Sequence, residues 1–172
     1  MPVIESGIDV AGFQGEGFVV ASQIFDLSEV ACRRDRVTEL VANRPPMPRM
    51  KFSSALSEPR PELLPRNPMA VHHVTNLALA GPEWLELSAS LKVADRVAAL
   101  IGKSVDFDMA FLRLRPPRLA LPVPWHRDIE TDRFENDDAV TVLICLDNMT
   151  SQNGATRVVS NRHGHHRTPL GD

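Results

Sequence analysis

A histidine and an aspartate two positions apart have the clearest potential for chemistry in this chain. They are His126 and Asp128, in the segment Trp125-His-Arg-Asp128. In an extended segment, residues two apart project to the same face, so the imidazole and the carboxylate can converge on one point. A nitrogen and a carboxylate oxygen are two of the three ligands of the facial triad that holds non-haem Fe(II). The triplet indicates either part of a metal site or a surface hydrogen bond between the two side chains.

Length and composition favour one globular domain that binds neither nucleic acid nor a membrane. The chain has 172 residues, with 19 Lys and Arg against 22 Asp and Glu. This near balance of charge gives no basic surface for nucleic acid, and no apolar run reaches the length of a membrane span. The N-terminus lacks the basic start and long apolar run of a signal peptide, and two cysteines cannot form a disulfide framework. We therefore expect a soluble, cytoplasmic protein.

The first 105 residues are predicted to be mostly helical. Asp26-Leu-Ser-Glu29 is a helix-start signal and predicts an amphipathic helix over residues 27–43. Pro82 is placed for the first turn of another helix, and a further helix is predicted to stop at Gly102. Between the helix over residues 27–43 and the helix that starts near Pro82, a proline-rich loop is predicted over residues 44–70. It is either a surface connection or a loop that folds over a ligand.

Residues 106–172 carry the shorter period that is typical of strands. We predict strands over residues 106–114, 139–146 and 155–159, the last after the turn signal Asn153-Gly154. One earlier strand is predicted near Phe18–Ala21. Helices followed by strands indicate an α+β fold or a β-sandwich with added helices.

The order of these motifs resembles that of the phytanoyl-CoA dioxygenase family over roughly residues 10–166. Pro124-Trp-His-Arg-Asp128 is similar to the family's Trp-His-x-Asp stretch. Val140–Asn148 is similar to its strand ending in Leu-Asp-Asp, and Gln152–Val159 to its Asn-Gly turn and the strand that follows. Arg115-Pro-Pro117 stands where the family often has Lys-Pro-Pro. Members of this family are Fe(II)- and 2-oxoglutarate-dependent oxygenases.

This resemblance implies a double-stranded β-helix, a jelly-roll or cupin-like barrel with the N-terminal helices packed on one side. Residues 1–172 would be a single domain, the N-terminal two thirds of the catalytic domain, with the barrel incomplete at its C-terminal side. His126 and Asp128 would be the first two iron ligands, and Arg113 and Leu143 would lie near the cosubstrate. With Fe(II), 2-oxoglutarate and O2, such enzymes hydroxylate a small-molecule substrate and release succinate and CO2.

The chain also departs from the family pattern. Ser160-Asn-Arg-His163 stands in place of the family's Pro-Gly-Ser-His turn. No residue matches its third iron ligand, a later histidine, or the arginine that pairs with 2-oxoglutarate. The alternative is a non-catalytic or truncated barrel fragment that acts as a binding module, which predicts a homodimer or pairing with a complementary fragment.

A third hypothesis is a metalloenzyme that works without 2-oxoglutarate. It would use His126, Asp128 and one histidine of the C-terminal cluster, whose members are His163, His165 and His166. The adjacent pair His72 and His73 is expected to be structural. The acidic stretch over residues 130–138 is expected to be a solvated loop.

Overall fold

The computed structural model describes residues 7–43, 45, 49–54, 71–102, 104–115, 123–128 and 139–161. Its elements, in chain order, are α1 (Val10–Glu16), α2 (Leu27–Asn43), β1 (Phe52–Ser54), β2 (Val71–Val74), a 3-10 helix (Leu77–Ala80), α3 (Pro82–Ser88), α4 (Leu91–Ile101) and β3 (Leu112–Arg113). The strands form one antiparallel sheet in the order β1-β2-β3. The described residues thus form helices and one small sheet, and among them the sheet does not close on itself.

Helix α2 begins at the predicted signal. The backbone N–H of Glu29 donates to Asp26 Oδ1 at 2.8 Å, and the N–H of Asp26 donates to Glu29 Oε2 at 2.8 Å. These reciprocal bonds satisfy two backbone donors that a helix start otherwise leaves unpaired. The prediction of a helix over residues 27–43 is confirmed.

The two later helices are confirmed as well. Pro82 occupies the first turn of α3. Helix α4 ends at Gly102, which has a left-handed backbone with φ of 71° and donates its N–H to Ala98 O at 2.8 Å. Glycine adopts this conformation without steric cost, which explains why the helix stops there.

The core lies between α2, α3 and the sheet. Val74 in the central strand β2 is fully buried, and its register partner in β3 is the buried Leu112. Around β3 the side chains alternate, so that Ala110, Leu112 and Leu114 pack on the core while Phe111 and Arg113 are exposed. The buried apolar cluster consists of Val37, Leu40, Met50, Val71, Val74, Leu77, Trp84, Leu87 and Leu112.

Most of the predicted strands do not form in the described residues. Phe18–Ala21 is irregular and follows the short helix α1, and Val20 is 80 % exposed. Of residues 106–114 only Leu112–Arg113 is a strand, and residues 139–146 and 155–159 form no strand. Alternating apolar residues favour an extended backbone, but a strand also needs a neighbour to share its hydrogen bonds. The double-stranded β-helix is therefore not confirmed.

Helix α1 was not predicted from the sequence. Its N-cap is Asp9, whose Oδ1 accepts a hydrogen bond from the N–H of Gly12 at 2.8 Å, and its C-cap is Gly17, which has φ of 83°. Most of the proline-rich loop lies outside the described residues. Within it, β1 pairs with β2 and is an edge strand of the sheet as far as the structure describes the chain.

Candidate metal centre

His126 and Asp128 meet at the surface. His126 Nε2 lies 3.4 Å from Asp128 Oδ1, and the two side chains are 51 % and 52 % exposed. Two ligands of one metal ion at about 2.1 Å and a right angle lie about 3 Å apart, so the observed separation is close to a shared-ligand distance. The spacing of the two residues thus produces the convergence that it predicts. Their role as metal ligands stays a prediction.

The hydrogen bond of the imidazole fixes which nitrogen faces Asp128. His126 Nδ1 lies 2.8 Å from the carbonyl oxygen of Pro124. A carbonyl oxygen only accepts hydrogen bonds, so Nδ1 carries the hydrogen and, in the neutral ring, Nε2 keeps its lone pair. Metal-ligating histidines commonly show this arrangement, with the second nitrogen donating to a carbonyl or a carboxylate.

The carboxylate of Asp128 is oriented by a hydrogen bond to the oxygen that does not face His126. Thr141 Oγ1 donates a hydrogen bond to Asp128 Oδ2 at 2.7 Å. This leaves Oδ1 as the oxygen that faces His126 Nε2. Sequence reasoning missed Thr141: its polar side chain stands out within the apolar run Ala139–Leu146, but the run does not indicate that Asp128 is its partner.

The segment that follows the Asn-Gly turn packs against this site. The guanidinium of Arg157 lies 5.0 Å from the centre of the Trp125 ring, next to His126. Residues Ser151–Gly154 form a turn, as predicted, and Gly154 has φ of 84°. The turn lies against the side chain of Arg115. The three stretches that carry the family resemblance, residues 124–128, 140–148 and 152–159, thus contact one another through Asp128–Thr141 and Trp125–Arg157.

The two residues predicted near the cosubstrate lie on different stretches of the chain. Arg113 is in β3 opposite His73, and its guanidinium is 5.6 Å from the centre of the Phe111 ring. Leu143 is 55 % exposed, two positions after Thr141. A role of either residue in binding 2-oxoglutarate stays a prediction.

The histidine pair lies in the central strand of the sheet. His72 is buried, and the His73 ring makes an edge contact with Phe111 at 5.5 Å between centres. Burial, followed by the charges of Arg113 and His72, lowers the pKa of His73 from 6.5 to about 4. His73 is therefore neutral at physiological pH.

Among the residues that the structure describes, no group of three or more His, Cys, Asp or Glu side chains is arranged to hold a metal ion. The C-terminal histidine cluster and the acidic stretch lie outside the described residues. His126 and Asp128, oriented by Pro124 and Thr141, fit two of the three protein positions of a facial triad. None of the helices in the described part of the chain is long and apolar enough to cross a membrane.

Curated proteins similar to this chain are dioxygenases by name. An ectoine dioxygenase of Sphingopyxis alaskensis is 23 % identical over 171 residues, which is 97 % of this chain and 53 % of that protein. An ectoine dioxygenase of Streptomyces anulatus is 25 % identical over 167 residues, 95 % of this chain and 52 % of that protein. A probable alpha-ketoglutarate-dependent hypophosphite dioxygenase of Stutzerimonas stutzeri is 31 % identical over 77 residues, 45 % of this chain and 27 % of that protein. The chain spans about half the length of the two ectoine dioxygenases.

No solved structure matches the chain. The family model for phytanoyl-CoA dioxygenase, in contrast, matches residues 13–170, a range that includes His126, Asp128 and Thr141. A match over nearly the whole chain, together with relatives named as dioxygenases, agrees with the order of motifs around the His-Asp pair. The chain belongs to the phytanoyl-CoA dioxygenase family.

Proposed function

We propose that the protein is an Fe(II)- and 2-oxoglutarate-dependent oxygenase that hydroxylates a small molecule, and that His126 and Asp128 are two of its iron ligands. One observation carries the proposal: His126 Nε2 and Asp128 Oδ1 face each other at 3.4 Å, and each side chain is oriented by a separate hydrogen bond. Membership in the phytanoyl-CoA dioxygenase family supports iron as the metal and 2-oxoglutarate as the cosubstrate.

Bound Fe(II) would supply the O2-dependent oxidation, for which no amino-acid side chain is suited. The residues of this chain bind and orient. His126 presents a lone pair because its other nitrogen donates to Pro124 O, and Asp128 presents one oxygen because Thr141 holds the other. Two ligands from one short segment leave the remaining positions around an ion open to a third ligand and to small molecules.

Arg113 and Leu143 are the proposed contacts of the cosubstrate. The guanidinium of Arg113 is exposed on the face of the 109–115 segment that points away from the core, where it can pair with a carboxylate through two hydrogen bonds. The exposed Leu143 follows Thr141 by two positions and offers apolar contact.

A second candidate function is a binding module without catalysis. It is favoured by the sheet, because β1 and β3 each pair with a single strand among the residues that the structure describes. Unpaired strand edges promote pairing with another chain. This function predicts a homodimer or a complex with a complementary fragment, and weak metal binding.

The test is Co(II) binding followed by cosubstrate turnover. Co(II) is titrated into the metal-free protein, and the absorption of the bound ion is recorded for wild type, His126→Ala and Asp128→Asn. Asp147→Asn is the matched control, because Asp147 is likewise an exposed carboxylate, and it is paired with Arg34 at 3.3 Å. Formation of succinate from 2-oxoglutarate is then measured with Fe(II) and O2.

We expect saturable Co(II) binding in wild type and in Asp147→Asn, at least ~10-fold weaker binding in the two site variants, and succinate formation that requires Fe(II). Equal Co(II) affinity in wild type and His126→Ala would contradict the proposal and favour the binding module. Iron binding at the pair without any turnover of 2-oxoglutarate would favour a metalloenzyme of another kind.

A further inference from the structure

Thr141 contacts Asp128 from a separate stretch of chain. The two residues are 13 positions apart, and the hydroxyl of Thr141 donates to Asp128 Oδ2 at 2.7 Å. At this distance between hydroxyl and carboxylate oxygens, the hydrogen bond is short and charge-assisted. Through this bond, the segment of residues 139–147 contacts the His-Asp pair.

This bond matters because it engages one particular oxygen of the Asp128 carboxylate. The terminal torsion of an aspartate is broad, so a hydrogen bond to one oxygen helps to decide which oxygen faces a neighbouring group. The side chain of Asp128 is 52 % exposed. A donor on Oδ2 selects the rotamer in which Oδ1 faces His126 Nε2 at 3.4 Å.

Thr141 is also well suited to such a role. Threonine is β-branched and therefore stiff about its first side-chain torsion. Its hydroxyl has one hydrogen, which is directed to Oδ2. A rigid donor orders its acceptor at a lower entropic cost than a long, flexible side chain would.

We propose that Thr141 is a positioning residue of the metal site: its hydroxyl pre-orients Asp128 so that Oδ1 and His126 Nε2 bind one divalent ion together. The inference rests on the proposed function, because it assumes that the His-Asp pair binds a metal. If it is correct, the segment of residues 139–147 contributes to metal affinity through the hydroxyl of Thr141.

The experiment measures Co(II) affinity in the full chain for Thr141→Val and Thr141→Ser, with the melting temperature of each metal-free protein as a second readout. Valine keeps the branched shape and removes the hydroxyl, whereas serine keeps the hydroxyl. Thr38→Val is the matched control, because the hydroxyl of Thr38 is also exposed and hydrogen-bonded, to Arg34 O at 3.0 Å in α2.

We expect Thr141→Val to weaken Co(II) binding by ~10-fold or more, in the range found when a partner of a metal ligand is removed. Thr141→Ser and Thr38→Val should stay within about twofold of wild type. The melting temperatures of the metal-free variants should stay within about 2 °C of wild type, since the site is exposed.

Wild-type affinity in Thr141→Val, with binding lost in Asp128→Asn, would overturn this inference and leave the proposed function intact. Equal loss of affinity in Thr141→Ser and Thr141→Val would also overturn it, because the hydroxyl would then not be the cause. Failure of the wild-type protein to bind Co(II) would overturn the inference and the proposed function together.

Discussion

The guanidinium of Arg157 lies 5.0 Å from the centre of the Trp125 ring, and this contact joins the segment after the Asn-Gly turn to the residue that precedes His126. A cation over an indole face at an exposed site contributes about 0.5–1 kcal/mol. Trp125 is 49 % exposed, whereas the other tryptophan, Trp84, is 4 % exposed. The two indoles are therefore distinguishable by their access to solvent.

We expect Arg157→Ala to lower the free energy of unfolding by about 0.5–1 kcal/mol and to increase the quenching of tryptophan fluorescence by acrylamide. The quenched component should belong to Trp125, because Trp84 is buried, and it should disappear in Trp125→Phe. Arg157→Lys keeps a cation and should show a smaller change. Unchanged quenching in Arg157→Ala would show that the contact is not maintained in solution.

His73 makes the stability of the protein depend on pH. Burial, more than the charges of Arg113 and His72, lowers the pKa of His73 in the folded chain to about 4, against an ordinary value of 6.5. Between these pH values the unfolded chain binds a proton that the folded chain does not bind. The free energy of unfolding should therefore decrease as the pH falls from 6.5 to 4, by about 1–2 kcal/mol once the partial exposure of the ring is taken into account.

The substitution that tests this is His73→Phe, which keeps a ring for the edge contact with Phe111 and removes the titrating nitrogen. Its unfolding free energy should vary less than that of wild type between pH 4 and 6.5. The imidazole signal that the substitution removes from the NMR spectrum is that of His73, and in wild type it should titrate near pH 4. A titration near pH 6.5 would refute the buried, neutral state.

A second pH dependence arises where α2 and α4 meet. Lys92 Nζ lies 2.7 Å from both carboxylate oxygens of Glu29, and this hydrogen bond, followed by the one from the Asp26 N–H, lowers the pKa of Glu29 below 4.5. A lowered carboxyl pKa stabilises the folded chain above the ordinary value, and that stabilisation is lost as the pH falls through the folded value.

Glu29→Gln should therefore lower the melting temperature at pH 6, and the difference from wild type should shrink as the pH falls from about 5 to 3. Added NaCl should reduce the difference at pH 6, because the ion pair is exposed to solvent. Glu86→Gln, which removes an exposed carboxylate from α3, is the control and should show no such pattern. A constant difference across the pH range would argue against the ion pair.

The helices could be predicted because the residues that start and stop each helix lie within a few positions of its ends. Asp26 and Glu29 are three positions apart and bond to each other's backbone, and Gly102 stops α4 by its own conformational freedom. Helix α1 escaped prediction because its seven residues include two glycines, which disfavour a helix, and the Asp9 cap alone gave a weak signal.

The strands could not be predicted in the same way. A run such as Ala139–Leu146 shows that its residues suit an extended backbone, but whether it forms a strand depends on a pairing partner that the run itself does not contain. The same limit applies to the site. The convergence of His126 with Asp128 follows from a spacing of two, whereas the hydrogen bond of Thr141 spans 13 positions and no local pattern contains it.

Substitution of Gly154 should destabilise the folded protein. Its φ of 84° is in the left-handed region, where an L-residue with a Cβ costs about 1–2 kcal/mol, and an added Cβ would lie 2.7 Å from Cδ of Arg115. Gly154→Ala should therefore lower the free energy of unfolding by about 1–2 kcal/mol in urea titration, since the flexible Arg115 can move away but the backbone strain stays. Gly154→Asn should cost less, because asparagine tolerates this conformation better.

The matched control for this prediction is Gly15→Ala. Gly15 lies within α1 and has nothing within 4 Å of an added Cβ, and no positive φ is found there. Alanine in a helix is favoured over glycine by up to about 1 kcal/mol, so this substitution should stabilise the protein. The two glycine-to-alanine changes are thus expected to have opposite signs. Stabilisation by Gly154→Ala would mean that the turn between the segments 139–147 and 155–159 does not adopt the left-handed conformation in solution.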